Sequence, residues 1–244
     1  MRILVINPNT TASMTRKIGA AASAAASPGV EIVVVNPEFG PPSIEGYYDE
    51  AFSVQGIIQE IRRAGEIDAT VIACFDDTGL DAARCMSRNP VVGIGEAGFH
   101  MASLLADRFG VVTTLSRSVA PIRHNIAKYG LASRCAGVRA SEVAVLDLED
   151  PGSNARQLIL DEARKSLAED KAEAIVLGCA GMTELARDLS DAIGAPVLDG
   201  VACAVALAEG AARLGLRTSK VNTYRHPIPK EYAGSLANFS PRLR

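Results

Sequence analysis

Two decapeptides, VIACFDDTGL (71–80) and VLGCAGMTEL (176–185), have the same layout and lie half a chain apart. In each, an apolar run typical of a buried strand ends at a cysteine, and a threonine follows four residues later, before a stretch that favours a helix. The two cysteines, Cys74 and Cys179, are separated by 105 residues. Because the pattern occurs once in each half, we predict an internal duplication that sets a thiol at the end of a strand in each half.

The rest of the chain alternates strand-like with helix-like segments, in the same order on both sides. Continuous Val and Ile runs such as EIVVVN (31–36) lack alternating polar residues, which indicates parallel strands covered on both faces. We therefore predict an α/β fold of two similar lobes, each a four-stranded, mainly parallel sheet flanked by helices. In such sheets ligands bind at the carboxyl ends of the strands, so we expect the site in the cleft between the lobes.

The predicted lobes span residues 1–106 and 107–217, and each carries one of the two cysteines. We expect the last helix, predicted over 201–214, to cross back over the first lobe. The remaining stretch, 218–244, contains prolines and has weak periodicity, so we predict a tail laid over the surface. This tail is expected to stay partly disordered or to contact a neighbouring subunit of a homo-oligomer.

The composition is typical of a soluble globular protein. Of 244 residues, 48 % are hydrophobic and 22 % charged, and the formal net charge is −3. No basic excess is present to bind a phosphate backbone, so we do not expect a nucleic-acid partner. No apolar run reaches the roughly 18 residues of a membrane span, and the first ten residues predict a strand rather than a signal peptide. Five cysteines without close spacing favour reduced thiols in the cytoplasm over a disulfide framework.

The cysteines of the duplicated motif allow a structural and a functional interpretation. Strand cysteines often act as small buried hydrophobic residues. Repetition of the strand-end position favours function, because backbone N–H groups and a helix dipole there lower a thiol pKa. The other cysteines, Cys85, Cys135 and Cys203, lack this position and are predicted to be structural. The three histidines are scattered and no Cys-x-x-Cys occurs, which argues against a zinc site and against a Cys–His nucleophilic pair.

Two acid/base groups that face each other across a site are what a racemase without a cofactor requires. One group removes a proton from a stereocentre, and the other returns a proton to the opposite face. We therefore expect Cys74 and Cys179 to form the catalytic pair, with neither a metal nor a cofactor.

Polar loops follow the first and fifth predicted strands, as NPNT (7–10) and TTLS (113–116). Such residues commonly cap helices, but beside the cysteine loops they are also predicted to hold a polar ligand. GIGEAG (93–98) matches the G-x-G-x-x-G pattern of dinucleotide sites. Because it follows the fourth strand and lacks a later acidic partner, we predict instead a tight strand-to-helix turn that lines the pocket.

Two carboxylates, Asp76 and Asp77, follow Cys74 directly. The favoured interpretation is that they cap the helix that begins at Gly79; a carboxylate pair for acid/base or metal chemistry is the alternative. In either case a neighbouring carboxylate is expected to raise the thiol pKa.

The segment EFGPPSIEGYYDE (38–50) is rich in Pro, Gly and aromatic residues and predicts a loop. One interpretation is that it covers the pocket, with Phe39, Ile44 and Tyr47 as an apolar wall. The other is that it forms a simple surface crossover.

Five segments in order, INPNTTASMT, ACFDDTGLDAAR, VGIGEAG, GVVTTL and VLGCAGM, resemble the hydantoin racemase group of the aspartate/glutamate racemase superfamily over nearly the whole chain. The resemblance implies cofactor-independent racemisation at C5 of a 5-monosubstituted hydantoin, with Cys74 and Cys179 as the two acid/base residues. It further implies a small-molecule substrate held by neighbouring side chains and backbone groups. The expected substrate-binding residues are Asn7, Asn9, Ile44, Phe75, Thr78, Gly95, Thr113, Thr114, Ala180, Gly181 and Thr183.

Several alternatives stay open at this point. Allantoin is a 5-ureidohydantoin, so an allantoin racemase would use the same chemistry, although apolar residues in 38–50 favour alkyl or aryl substituents. Racemases of free aspartate or glutamate match the cysteine motifs less well. Decarboxylases of the superfamily keep only the second cysteine, so Cys74 argues against that activity. A non-catalytic ligand-binding protein with the same cleft belongs to another class, and it would bind without isotope exchange.

Overall fold

The computed structural model describes residues 1–150 and 152–241. Within them, eight strands alternate with eight α-helices, interspersed with short 3₁₀ helices. The strands are β1 (Arg2–Ile6), β2 (Glu31–Val35), β3 (Ala69–Ile72), β4 (Val91–Gly93), β5 (Phe109–Thr113), β6 (Cys135–Ala140), β7 (Ala174–Leu177) and β8 (Val197–Asp199). The helices are α1 (Ala12–Ala25), α2 (Tyr47–Arg63), α3 (Leu80–Met86), α4 (Ile94–Leu105), α5 (Val119–Lys128), α6 (Ala155–Ala168), α7 (Ala186–Ile193) and α8 (Gly200–Arg213). No helix of these described segments is long and apolar enough to cross a membrane.

The strands form two parallel sheets with equivalent order, β2-β1-β3-β4 and β6-β5-β7-β8. The inner strands β3, β5 and β7 are buried at every position, and β1 at all but its first. Burial on both faces explains why their sequences are continuously apolar. The predicted α/β fold of two similar lobes with parallel sheets is confirmed.

The last helix of each lobe packs on the sheet of the other lobe. Helix α4 contacts β7 and β8, whereas α8 contacts β3 and β4. The two helices also cross each other closely. A Cβ added at Gly98 would lie 2.8 Å from Val176 Cγ1, and one added at Gly200 would lie 2.6 Å from the carbonyl oxygen of Ile94. The predicted return of the last helix over the first lobe is confirmed, and side chains of both sheets share one buried core.

The C-terminal segment lies over the first lobe as far as it is described, to residue 241. Thr218 donates from its backbone N–H to a carbonyl after α3 (2.9 Å). Further along, Arg62 of α2 donates to the carbonyl oxygen of Phe239 (3.0 Å). Most described residues of this segment are exposed, and the last three positions of the predicted tail, 242–244, lie outside the described residues.

Candidate active site

A cavity of about 40 Å³ lies between the carboxyl ends of the two sheets. Loops from both lobes line it, in pairs that the duplication makes equivalent. The lining residues are Asn7, Pro8 and Asn9 after β1, Met14 of α1, Ile44 after β2, Ala73, Cys74, Phe75 and Asp76 after β3, Thr114 and Ser118 after β5, Val145 after β6, and Gly178, Cys179 and Ala180 after β7. Each of the two cysteines stands two residues beyond the end of its strand. The structure thus brings both motif cysteines to one cavity.

The loop that carries Cys74 is anchored on both sides of the thiol. Phe75 points into the shared core, where its ring meets the Phe99 ring edge-on at 5.2 Å. Behind the loop, the carbonyl of Phe75 approaches Gly95 so closely that an added Cβ would lie 2.3 Å from the oxygen. These contacts fix the position of the thiol relative to α4.

Asp77 also anchors this loop. It was predicted to cap α3, but it caps α4 instead. The residue has φ of 51°. Its carboxylate accepts from the backbone N–H groups of Gly95 (3.0 Å) and Glu96 (2.8 Å) and from the Tyr129 hydroxyl (2.7 Å). Asp77 therefore satisfies free amides in the first turn of α4 rather than those of α3. The left-handed turn carries its side chain away from the helix that follows it in sequence.

Both thiols sit in surroundings that oppose ionisation. Burial raises the pKa of the Cys74 thiol above its ordinary range; the Asp76 carboxylate adds to the rise, while a contact with Thr78 Oγ1 (3.4 Å) lowers it. Burial raises the pKa of Cys179 to about 12. The backbone N–H of Gly181, which lies 3.4 Å from Sγ, lowers this pKa but by less than burial raises it. The prediction that the strand-end position lowers the thiol pKa is wrong, because burial outweighs the local hydrogen bonds.

Asp76 differs from its neighbour, because it lines the cavity and its carboxyl group lies close enough to raise the pKa of both Cys74 and Cys179. Burial raises the pKa of this carboxyl to about 8, and the nearby carboxyls of Glu50 and Asp77 contribute to the rise. The backbone carbonyl of Asp76 accepts a hydrogen bond from Asn125 Nδ2 of the second lobe (2.7 Å). The prediction that Asp76 caps α3 is also wrong, since no described side chain caps the N-terminus of this helix.

The predicted polar loops after β1 and β5 do reach the cavity. Asn7 donates from Nδ2 to Asn9 Oδ1 and to Thr15 Oγ1, both at 2.9 Å, which fixes the orientation of the two amides. On the opposite side, Thr114 and Ser118 line the cavity. Their hydroxyl groups have no protein partner within the described residues, so both are available to a bound molecule.

Five of the expected substrate-binding residues lie behind the lining rather than in it: Thr78, Gly95, Thr113, Gly181 and Thr183. Thr78 and Gly181 contact the two sulfur atoms instead. Thr113 donates to the carbonyl of Gly178 (3.0 Å) and so joins the ends of β5 and β7. Thr183 is buried, and its Oγ1 has no hydrogen-bond partner in the described structure. The other expected residues, Asn7, Asn9, Ile44, Phe75, Thr114 and Ala180, line the cavity.

The apolar side of the cavity comes from Met14, Ile44 and Val145. Of the wall predicted in 38–50, only Ile44 reaches the cavity; Phe39 and Tyr47 are 39 % and 56 % exposed. Met14 and Val145 were not among the predicted residues. The duplication contained a clue to Val145, because it lies in the loop after β6, which is equivalent to the loop that carries Ile44.

In the part of the chain that the structure describes, no Lys, Arg or His lines the cavity. His124 instead contacts the Tyr47 hydroxyl through Nδ1 (2.9 Å). Within residues 1–150 and 152–241, no group of three or more His, Cys, Asp and Glu side chains is arranged to hold a metal ion. The ionisable groups at the cavity are therefore the two thiols and one carboxyl.

Comparison with known proteins assigns the family. Residues 3–208 match the profile of the Asp/Glu/Hydantoin racemase family. The chain belongs to this family. It is accordingly a racemase, an enzyme of the isomerase class.

Individual relatives of this racemase cover nearly its full length. A protein from Rhizobium meliloti described as a hydantoin racemase is 48 % identical over 236 residues, which are 96 % of this chain and 98 % of the relative. A hydantoin racemase from Pseudomonas sp. (strain NS671) is 46 % identical over 241 residues, 98 % and 97 % of the two chains. Among solved structures, an allantoin racemase from Klebsiella pneumoniae has a TM-score of 0.96 at 44 % identity and covers 99 % of this chain and 100 % of its own.

Proposed function

We propose that this racemase interconverts the D and L forms of 5-monosubstituted hydantoins by two-base proton transfer at C5, without a cofactor. The observation that carries the proposal is the meeting of Cys74 and Cys179 at one cavity, from equivalent loops of two lobes. Two bases on opposite sides of a planar intermediate are what inversion by proton transfer requires. The hydantoin racemases at 46 % and 48 % identity support the substrate class.

In the proposed reaction one cysteine begins as a thiolate and the other as a thiol. The thiolate removes the C5 proton, the ring becomes an enolate, and the thiol delivers its proton to the opposite face. At the end the two cysteines have exchanged protonation states. The raised thiol pKa values suit this chemistry, because a thiolate that is reluctant to form is a stronger base towards a weakly acidic C–H.

Hydrogen bonds near each sulfur offset part of the cost of forming that thiolate. The Thr78 hydroxyl lies 3.4 Å from Cys74 Sγ, and the Gly181 N–H lies 3.4 Å from Cys179 Sγ. Each thiol has a neutral donor of its own, so neither direction of the reaction lacks thiolate stabilisation.

The charge of the cavity favours a neutral cyclic substrate over a free amino acid. A free aspartate or glutamate would bring at least one carboxylate, which would need a cationic partner when desolvated. Among the described residues, the lining supplies no Lys, Arg or His to pair with it. A hydantoin is neutral and presents carbonyl and N–H groups, which match the hydroxyls and amides of the lining.

Allantoin is the second candidate substrate, and the structural similarity to the Klebsiella pneumoniae allantoin racemase favours it. The apolar lining of Met14, Ile44 and Val145 favours an alkyl or aryl substituent at C5 over the polar ureido group of allantoin. We therefore rank alkyl- and aryl-hydantoins first.

We further expect the enzyme to act in the cytoplasm as a homo-oligomer, with a small-molecule substrate and with neither nucleic acid nor membrane as a partner. All five cysteines are free, which suits a reducing compartment. Exposed apolar side chains such as Tyr48, Val221 and Ile228 provide surface for contact between subunits.

The test is proton NMR of enantiopure L- and D-5-benzylhydantoin in D2O, with optical rotation followed in parallel. The proposal predicts loss of the C5–H signal together with loss of rotation from both enantiomers, faster than in a sample without enzyme. The same experiment with each enantiomer of allantoin ranks the two substrates. Retention of signal and rotation in all four samples would refute racemisation of cyclic ureides and favour a binding protein.

A further inference from the structure

The carboxyl group of Asp76 is the one polar side chain of the Cys74 loop that faces the cavity without a protein partner. Within the described residues, neither of its oxygens takes part in a hydrogen bond, although its backbone carbonyl is held by Asn125 (2.7 Å). The adjacent Asp77 carboxylate, by contrast, accepts three hydrogen bonds. The loop is therefore fixed, and the Asp76 carboxyl is left free to meet a bound molecule.

The titratable side chains around this carboxyl are all acidic. The titratable groups that face it are Cys74 and Asp77 of its own loop, Glu50 of α2 and Cys179 of the second lobe. On the neighbouring helix α5, His124 contacts Tyr47, and Lys128 pairs with Asp81. Glu50 Oε1 is itself buried without a partner among the described residues. No cation of the cavity lining offsets these charges.

The proposed reaction adds one more negative charge to this enclosure, first as a thiolate and then as an enolate. An ionised Asp76 beside either species would place two like charges in a poorly solvated site. A proton on the carboxyl removes this repulsion and turns Asp76 from an acceptor into a donor.

We propose that Asp76 serves as a protonated carboxyl that donates a hydrogen bond to the ring carbonyl oxygen where negative charge develops when C5 loses its proton. This inference rests on the proposed function and adds a catalytic residue to it. The proton stays on Asp76 throughout, so the two cysteines remain the groups that exchange protons with carbon. A carboxylic acid is a stronger donor than the hydroxyls of Thr114 and Ser118, and in a poorly solvated site such a donor stabilises an oxyanion strongly.

Two substitutions at this position separate the proposed role from others. Asp76→Asn keeps the size and an N–H donor but cannot ionise, whereas Asp76→Ala removes the donor. We expect Asp76→Asn to retain kcat within about tenfold of the wild type and Asp76→Ala to lose about 10²- to 10³-fold. Asp81→Asn, an exposed carboxylate nearby on α3, is the matched control and should leave kcat unchanged.

The pH profile gives a second readout that a merely structural role would not change. As pH rises through the pKa of Asp76, about 8, the wild type loses its donor, whereas Asp76→Asn does not. The ratio of wild-type to Asp76→Asn kcat should therefore be constant at low pH and fall by up to about tenfold per pH unit above 8. The ratio removes the pH dependence that both proteins share. Because the Asp76 carboxylate also raises the pKa of Cys74, iodoacetamide alkylation of both proteins over the same pH range measures the change in thiol titration and corrects the ratio for it.

The inference fails if Asp76→Asn is impaired as severely as Asp76→Ala, because the ionised form would then be the active one. It also fails if both variants match the wild type, or if the ratio of rates is independent of pH. Circular dichroism and thermal melting of each variant identify a loss that is due to unfolding. A wild-type enzyme that racemises neither hydantoins nor allantoin would refute the proposed function. If the wild type is active and both variants lose activity equally, only the role of Asp76 is refuted and the proposed function stands.

Discussion

At the residue scale, the proposed reaction depends on two thiols whose pKa values burial raises. We expect Cys74→Ser and Cys179→Ser each to lower the rate of racemisation by about 10²- to 10⁴-fold, because a serine hydroxyl is a far weaker acid than a thiol and cannot supply the base. Loss of rotation of 5-benzylhydantoin measures this. Cys85→Ser is the control, since its Sγ lies on α3, 3.7 Å from the Thr223 carbonyl and outside the cavity. Full activity in either motif variant would contradict the two-base mechanism.

The same scale separates what the sequence can predict from what it cannot. The meeting of Cys74 and Cys179 was predictable, because the duplication repeats the strand and the loop that carry each thiol. Their raised pKa was not, since it comes from burial by residues distant in the sequence. Nor could spacing distinguish Asp76 from Asp77. A left-handed backbone at the second residue turns one carboxylate towards α4, while the other lines the cavity.

At the element scale, the exchange of helices between lobes depends on close contact at Gly200. An alanine there would place its Cβ 2.6 Å from the carbonyl oxygen of Ile94, and a backbone atom cannot easily move away. We expect Gly200→Ala to destabilise the protein by about 1–3 kcal/mol, which for a chain of this size lowers the melting temperature by about 2–4 °C per kcal/mol.

The control for this prediction lies in the same helix. An added Cβ at Gly210 would meet no atom within 4 Å, so Gly210→Ala should be neutral or should stabilise α8 by up to about 1 kcal/mol. Thermal melting of both variants makes the comparison. Equal melting temperatures would show that α8 shifts freely against α4.

Element bounds illustrate a related limit of prediction. The run EIVVVN (31–36) predicts β2 to within one residue, because continuous apolar runs are distinctive. The sequence predicts the segment 38–50 less well: α2 already begins at Tyr47, Phe39 and Tyr47 are largely exposed, and only Ile44 reaches the cavity. Loop side chains have no periodicity that would indicate their direction.

At the scale of the whole molecule, the loops after β2 and β6 meet beside the cavity. Ile44 and Val145 approach it from opposite lobes, and the Val145 N–H donates to Glu45 Oε1 (2.9 Å), which links the two loops. We therefore expect these loops to separate when a substituted ring enters.

Amide hydrogen exchange tests this opening. The Val145 N–H should exchange readily in the free enzyme, because the loops separate transiently, and more slowly when a saturating hydantoin holds them closed. The Val176 N–H in β7 is the internal control, since it is protected in both states. An unchanged Val145 rate at saturation would mean that the substrate enters without separation of the loops.

Because α4 and α8 cross between the lobes, the two halves of the chain depend on each other for their packing. Each half of the sequence contains a helix whose apolar face packs in large part on the sheet of the other half. Neither half is therefore a self-sufficient folding unit, although each has its own sheet. The exchanged helices hold the duplicated halves together. A break in the chain near residue 107 would therefore leave two fragments, each of which exposes apolar helix surface unless it associates with the other.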